Sequence, residues 1–340
     1  VWVGTANGFG LLDYGATLAN SSDDHWLTYT NATLPVTNIS ALALDSNGYL
    51  WVGSYDLPDD AYYFDDNYAV GSALVLDWKQ TPFTLADDQL LNIDSWQIRA
   101  PRALAVQGST LWAATSEGLR HLSYANSPFD QSQWQWQDNA GGHGVGGNRV
   151  TAIAAFAGDR LALAVDGAPL ILSHGYTPHY LRDDTVVDLT SYSAGTLAAD
   201  SQQRLWLGVG ESLLVVDPGA RLDDAYDDES HEYSEMAGLH FDQINKIVID
   251  AADRAWIANG SYLHGGVTIL SVGKEIEEIG DDQMTTFTAQ NSGLAGKYVT
   301  AIAVGQANDV WFGTNVGAAH LVYGASLFAK GDNQWTPYRT

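Results

Sequence analysis

One short segment recurs along the chain, and this repetition restricts the possible folds more than any other feature. Its clearest copy, residues 299–322, joins three short apolar stretches through polar turns. Each stretch is bounded by Gly, Asn or Asp, which predicts β-strands. Six further copies keep the same order, although the first begins at its second stretch. A tryptophan marks the second stretch of every copy except the fourth, where Ala162 replaces it: Trp2, Trp51, Trp112, Trp206, Trp256 and Trp311.

A repeat of about 45–60 residues with several strands in each copy is typical of a β-propeller. We therefore predict an all-β, seven-bladed β-propeller with four-stranded antiparallel blades, in which the first blade lacks its innermost strand within this chain. A β-sandwich is the alternative, and seven matching units favour the propeller. The single domain covers residues 1–340, with blades at about 1–30, 37–98, 99–138, 148–184, 193–235, 243–289 and 298–340.

The four strands of a blade are named a to d, starting from the axis. Strand a carries small residues on one face, which suits the crowded axis, and the tryptophan of strand b fills the space where blades diverge. The Asn-Gly pair within residues 45–48 indicates a tight turn with positive φ. Strand d is predicted at 25–30, 133–137, 179–182, 284–288 and 334–339. Surface loops are predicted at 56–71, 139–148, 217–235 and 274–282.

The first blade is expected to present an open slot, because its copy of the repeat begins at strand b. An unpaired strand edge attracts further strands. We expect that residues outside this sequence, or another chain, fill the slot. The sequence also starts without Met or a signal peptide, so we expect a processed product or a fragment.

The composition narrows the possible partners. The formal net charge is −26, from 41 acidic and 15 basic residues. Such a surface disfavours nucleic acid, which needs basic residues, and suits divalent cations or an extracellular setting. The chain has no cysteine, so disulfides and thiolate chemistry are excluded. No apolar run is long enough for a membrane helix, and we therefore expect no membrane insertion.

Two segments carry a family resemblance. Residues 34–53 (Leu-Pro, then Ile-Ser-Ala-Leu-Ala-Leu-Asp-Ser-Asn-Gly-Tyr-Leu-Trp-Val-Gly) and residues 293–314 resemble the two-component regulator propeller repeat. That resemblance implies an extracytoplasmic sensor domain of hybrid histidine kinases, or a stand-alone secreted relative. The fold is also similar to that of streptogramin-type lyases, which use loop histidines and a divalent metal.

Basic and polar residues cluster at the start of strand a in several copies, where they are expected to line the mouth of the central channel. An anionic small molecule or an anionic glycan is the predicted ligand, and pairing with neighbouring carboxylates is the alternative. The residues are Asn38, Arg99, Arg102, Arg149, Gln243, Lys246, Lys297 and Tyr298.

Two acidic clusters provide the oxygen ligands that Ca²⁺ prefers, although neither has EF-hand spacing, and a solvated loop is the alternative. The candidate metal ligands are Asp59, Asp60, Asp65, Asp66, Asp223, Asp224, Asp227 and Asp228. Sequons at Asn20, Asn31 and Asn259 are candidate glycosylation sites. His143, His174 and His179 are the only residues that suggest catalysis, and no catalytic motif accompanies them.

These features predict a non-enzymatic, extracellular or periplasmic interaction or structural module. Its expected partners are copies of itself or other cell-surface proteins, and completion of the open first blade would build an oligomer or a filament. A ligand-sensing propeller and a metal-dependent lyase remain the alternatives.

Overall fold

The computed structural model confirms the predicted fold class. It contains twenty-seven β-strands in seven antiparallel sheets within the described residues, and only short 3-10 turns besides. Six sheets have four strands and the first has three, so the protein is a seven-bladed β-propeller. The structure describes residues 1–15, 21–30, 34, 38–56, 70–81, 83–94, 97–137, 145, 149–156, 158–175, 178, 182–189, 193–219, 228–234, 243–260, 265–305, 308–325, 327–329 and 331–339.

The chain divides into two compact units, and the first holds four sheets. Each sheet is a meander in which successive strands pair antiparallel. Sheet one contains β1 (Trp2–Thr5), β2 (Gly8–Asp13) and β3 (His25–Thr30). Sheet two contains β4 (Ile39–Leu44), β5 (Leu50–Ser54), β6 (Ala73–Asp77) and β7 (Gln89–Ile93). Sheet three contains β8 (Ala103–Gln107), β9 (Thr110–Thr115), β10 (Gly118–Ser123) and β11 (Gln135–Gln137). Sheet four contains β12 (Val150–Ala155), β13 (Arg160–Val165), β14 (Ala168–Ser173) and β15 (Thr185–Asp188).

The second unit holds three sheets of the same kind. Sheet five contains β16 (Thr196–Ala199), β17 (Leu205–Val209), β18 (Ser212–Asp217) and β19 (Glu229–Tyr233). Sheet six contains β20 (Ile244–Ile249), β21 (Ala255–Asn259), β22 (Gly266–Ser271) and β23 (Gln283–Phe287). Sheet seven contains β24 (Val299–Val304), β25 (Asp309–Thr314), β26 (Gly317–Val322) and β27 (Gln334–Arg339). The described 3-10 turns are Ser21–Asp23, Gln131–Gln133, Ile279–Asp281 and Leu327–Ala329.

Two predictions for outer strands need correction. Strand d of the fourth sheet is β15, which lies C-terminal to the predicted segment 179–182. The acidic stretch 217–235 is not a loop throughout, because β19 forms within it and pairs with β18. Strand d has a neighbour on one side only and an exposed face, so charged residues are tolerated there. Composition therefore does not distinguish these strands from loops.

The tryptophans of strand b lie in the core, as the repeat predicts. Trp51 and Trp112 in the first unit, and Trp206 and Trp256 in the second, are fully buried. Within each unit an aromatic residue after strand c of the next sheet covers the tryptophan. The pairs are Trp2 with Trp78 (ring centroids 5.7 Å apart), Trp51 with Tyr124 (5.4 Å), Trp112 with His174 (5.1 Å) and Trp256 with Tyr323 (5.9 Å).

In sheets one and five, packing against the next sheet explains the glycine that lies two residues after the tryptophan of strand b. A Cβ on Gly4 would lie 2.7 Å from Cγ2 of Ile39, on strand a of the next sheet. A Cβ on Gly208 would lie 3.0 Å from Cγ2 of Ile244 in the same way. Branched side chains of the following sheet therefore occupy the space above these glycines. This contact explains the glycine of the Trp-x-Gly pattern in sheets one and five.

Three buried tyrosines predict a loss of stability at alkaline pH. Burial, followed by a hydrogen bond to a carboxylate, raises the pKa of Tyr29, Tyr124 and Tyr233; the acceptors are Asp88, Asp45 and Asp282. An unfolded tyrosine loses its proton near pH 10, whereas these phenols stay protonated in the fold. The contribution of these tyrosines to the free energy of unfolding is therefore complete below about pH 10. Above that pH it is lost, at about 1.4 kcal/mol per pH unit for each residue.

Alkaline titration followed by phenolate absorbance and circular dichroism checks this expectation. We expect these three of the 17 tyrosines to ionise only as the sheets unfold. The Tyr124→Phe variant should show a shallower pH dependence, by about one proton. Reversible ionisation of all tyrosines with an unchanged circular dichroism spectrum would contradict it.

Candidate functional site

The first sheet exposes one strand that is covered in the other sheets. In the described residues β1 pairs only with β2, from Trp2 opposite Leu11 to Thr5 opposite Gly8. In each of the other six sheets, strand b lies between strand a and strand c. Among the described residues, the other side of β1 is therefore a sheet edge at the place that strand a occupies in the other six sheets, as the sequence predicts.

Exposure distinguishes β1 from its counterparts. Trp2 and Val3 are half-buried, and Gly4 and Thr5 are exposed. The equivalent strands β5, β9 and β21 are buried along their whole length. Since these strands have similar sequences, the difference in exposure follows from the fact that β1 has one paired strand among the described residues, whereas its counterparts have two.

The hydrogen-bond pattern shows which backbone groups face the free side. Val1 and Leu12 exchange both of their backbone bonds, at 2.7 and 2.8 Å. In an antiparallel pair the bonded pairs alternate, so Val3 and Thr5 also face β2. The N–H and C=O groups of Trp2 and Gly4 therefore point away from β2.

The residue after β1 supports this assignment. The C=O group of Ala6 accepts a hydrogen bond from the N–H of Asn38 at 2.9 Å, on the side away from β2. Two N–H groups and two C=O groups, at Trp2 and Gly4, thus form a short row along the edge. Such a row is what an incoming β-strand pairs with.

The structure pairs several of the predicted channel-mouth residues in the first unit. Arg99 forms an ion pair with Glu117 at 2.9 Å. The Arg102 guanidinium donates to the Tyr55 hydroxyl at 2.6 Å and lies 4.3 Å from the centre of that ring. Asn38 Nδ2 donates to Asp56 Oδ1 at 3.4 Å, and the backbone N–H of Arg149 donates to Asp166 Oδ1 at 3.2 Å. For Arg99 the geometry favours the alternative, pairing with a carboxylate.

In the second unit, two of the predicted residues are held through backbone hydrogen bonds. The backbone C=O of Gln243 accepts from Gly260, and that of Tyr298 accepts from Asn315. The side chains of Lys246 and Lys297 reach solvent. Protein atoms nevertheless crowd the Lys246 ammonium, and this desolvation lowers its pKa. Binding of an anion by these residues stays a prediction.

The remaining predicted sites are placed only in part. Asp59, Asp60, Asp65, Asp66, Asp223, Asp224 and Asp227 lie outside the described residues, and so do Asn20, Asn31, His143 and His179. Asp228 is half-buried immediately before β19. Among the described residues no three His, Cys, Asp or Glu side chains are grouped to hold a metal ion. Calcium binding by the acidic loops therefore stays a prediction.

Two of the candidate residues, Asn259 and His174, are buried in the fold. Asn259 is 1% exposed, and its amide donates to Thr268 Oγ1 at 3.4 Å, so the fold leaves no room for a glycan on this side chain. His174 is buried, and its Nε2 lies 2.7 Å from Oε1 of Gln107. Its ring packs on Trp112, so it acts as a packing residue between two sheets.

Comparison with known families identifies the repeat. The family described as two-component regulator propeller matches residues 33–56, which include β4 and β5. This segment of the seven-bladed propeller is thus similar to the two-component regulator propeller repeat. A search of curated proteins gives no significant match. No helix in the described part of the chain is long and apolar enough to cross a membrane.

Solved structures show the same fold at low sequence identity. A Bacteroides fragilis protein, whose assignment as a 6-phosphogluconolactonase is provisional, is 12% identical, with a TM-score of 0.61 over 99% of this chain and 92% of its own. YCF48 from Cyanidioschyzon merolae is 11% identical, with a TM-score of 0.56 over 90% and 86%. PorZ, a surface component of the type-IX secretion system of Porphyromonas gingivalis, is 13% identical, with a TM-score of 0.50. This chain is covered completely in that match but spans only 46% of PorZ. These similarities show the fold alone.

Proposed function

We propose that this two-component regulator-type propeller is a non-enzymatic, exported interaction module that takes up a β-strand from another polypeptide along β1. The observation that carries the proposal is the row of outward-facing backbone groups at Trp2 and Gly4, next to a half-exposed Trp2. A paired strand would satisfy these groups and bury more of β1, as strand a flanks strand b in the other sheets.

The sheets of this protein indicate what the incoming strand should look like. Strand a pairs antiparallel with strand b throughout, for example β24 with β25. It contains small residues at alternate positions, such as Ala301 and Ala303 in β24. We expect the partner to present a short strand of this kind. Where the donor is a neighbouring copy and the contact does not close into a ring, repeated donation builds a filament.

Export is part of the same proposal. A net charge of −26 keeps the protein soluble although a strand edge is accessible to other chains. The absence of cysteine is compatible with an oxidising compartment. The expected locations are the periplasm or the cell exterior.

A labelled peptide with the sequence of residues 298–305 tests strand uptake. We expect saturable binding that raises the unfolding temperature of the protein, measured by fluorescence anisotropy and thermal denaturation. Two N-methylated versions serve as matched controls, each blocking the N–H groups of alternate residues. Only one set of N–H groups faces β1 in an antiparallel pair, so one version should bind and the other should not. Equal binding of both versions, or no binding of the unmodified peptide, would refute strand uptake.

A further inference from the structure

A cavity of about 400 Å³ lies between the outer strands of sheets two and three in the first unit. Its volume falls in the range of small-molecule sites, about 300–1,000 Å³. The wall is built from the end of β7, from Asp94 and Gln97 after it, and from the 3-10 turn and strand β11 of the next sheet. Its lining residues are Asn92, Asp94, Gln97, Gln131, Trp134 and Trp136. We name this site the rim cavity.

Two tryptophans form the aromatic part of the rim cavity. Trp134 immediately precedes β11 with an extended backbone, and Trp136 lies within β11 two residues later, so the two side chains lie on one face. Their ring centroids are 5.4 Å apart and their planes are nearly perpendicular. The indole N–H of Trp134 donates to the C=O of Pro128 at 2.9 Å, which holds its ring in place. Both rings are half-buried against the core cluster around Trp51, and each keeps some surface towards the cavity.

The polar part of the wall consists of three amides and one carboxylate. The Asn92 Oδ1 atom accepts a hydrogen bond from the Ser72 hydroxyl at 3.2 Å, so the Asn92 NH₂ group faces away from Ser72. The backbone of Gln97 is held by Arg120, whose guanidinium donates to its C=O at 3.3 Å. Glu117 neutralises Arg120 at 3.0 Å. None of the described residues that line the cavity is basic.

This combination of groups selects one ligand chemistry. Indole rings favour a ligand with an apolar C–H face, and half-buried rings have little freedom to lose on binding. Amides both donate and accept hydrogen bonds, which suits hydroxyl groups, because hydroxyl groups also do both. Asp94 and the negative net charge disfavour anions, and four polar side chains disfavour a purely apolar ligand.

From these observations we infer that the rim cavity binds a neutral oligosaccharide. A pyranose ring packs against Trp136, and its hydroxyl groups bond to the side chains of Asn92, Gln97 and Gln131. The site is independent of β1, because its residues belong to sheets two and three. It gives the propeller a sugar-binding surface in addition to the proposed strand uptake.

An array of neutral oligosaccharides of glucose, galactose, mannose, xylose and N-acetylglucosamine tests the inference, followed by calorimetry with the best binder. We expect at least one member to bind and to change the tryptophan fluorescence. Trp136→Ala should weaken binding at least tenfold, and Gln131→Ala, in an exposed turn, should weaken it severalfold. Trp26→Ala is the matched control, because Trp26 holds the same position in sheet one, opposite Leu12 as Trp136 is opposite Leu122.

The outcomes separate the inference from a merely structural role for the tryptophans. Trp26 is 46% exposed and lies outside the rim cavity, so its variant should bind normally. The absence of binding to every neutral oligosaccharide would overturn the inference. Equal affinity of the wild type, Trp136→Ala and Gln131→Ala would do the same. Selective binding of a proline-rich peptide or of choline in place of sugars would also overturn it.

Discussion

A fusion that supplies strand a from within the same chain is expected to stabilise the protein and to abolish strand uptake. Residues 298–309 placed directly before Val1 would provide the strand and the turn of the seventh copy. The junction is natural, because Val310-Trp311 in sheet seven corresponds to Val1-Trp2 in sheet one. The added strand can then pair with β1 as β24 pairs with β25.

The expected gain follows from the groups that become paired. Four backbone groups at Trp2 and Gly4 obtain partners, at a net contribution of about 1 kcal/mol each, and the Trp2 indole is covered. Ordering the new strand offsets part of this gain. We expect the unfolding temperature to rise by at least about 5 °C.

Self-association provides the second measurement for the same fusion. If neighbouring copies fill the slot of the wild type, light scattering or electron microscopy should show oligomers or filaments that the fusion lacks. A fusion of equal length with proline at the positions of Ala301 and Ala303 is the control, because these residues lie opposite Gly313 and Trp311 in sheet seven and proline removes the N–H groups that would pair with β1. Two fusions with the same unfolding temperature would remove the basis of the proposal. Assemblies that persist unchanged in the unaltered fusion would exclude strand exchange through β1.

The inner strands of this fold could be predicted from sequence, and the outer ones only in part. Strands b and c keep apolar residues because they are buried along most of their length, and strand a keeps small residues on one face. Strand d has one exposed face, so its sequence varies freely. For that reason the sequence predicts the strand of sheet four at 179–182 instead of at β15, and predicts a loop where β19 forms. The edge at β1 could be predicted because the first copy of the repeat begins at its second stretch, which forms strand b in the other copies.

The pairing of charges and the rim cavity required coordinates. The sequence places Arg99 at the start of a strand, but it does not show that the following hairpin brings the Glu117 carboxylate next to the Arg99 guanidinium. The rim cavity combines residues of two sheets, from Asn92 to Trp136, across more than one strand. The only local signal was two tryptophans two residues apart, and that pattern alone does not distinguish a ligand surface from packing.

Substitution of one buried aspartate is expected to destabilise the second unit strongly. The Asp250 side chain is 3% exposed and accepts four hydrogen bonds. Its Oδ2 accepts from Arg254 Nε at 2.7 Å and from Trp256 Nε1 at 2.9 Å, and its Oδ1 accepts from the backbone N–H groups of Ala252 and Arg254. The Arg254 guanidinium also donates to the Tyr323 hydroxyl in the next sheet. One carboxylate thus orders a turn, a cation and the tryptophan of strand b.

Asp250→Ala should lower the free energy of unfolding by about 3–5 kcal/mol, because it leaves the guanidinium without its counter-ion and the indole N–H without an acceptor. Asp200→Ala should cost at least as much, since Arg204 is only 3% exposed and Asp200 binds it and Trp206 in the same way. Urea denaturation measures each value.

Asp45 offers a matched comparison, because it orders the same kind of turn without an arginine. Its Oδ1 accepts from the backbone of Asn47 and Tyr49, and its Oδ2 accepts from the Tyr124 hydroxyl at 2.6 Å. Asp45→Ala leaves no cation uncompensated, so we expect a loss of about 1–3 kcal/mol. In the double variant Asp250→Ala with Arg254→Met, part of the loss should return. Equal losses at Asp45 and Asp250, with no recovery in the double variant, would show that the turn and not the buried ion pair determines the stability of these sheets.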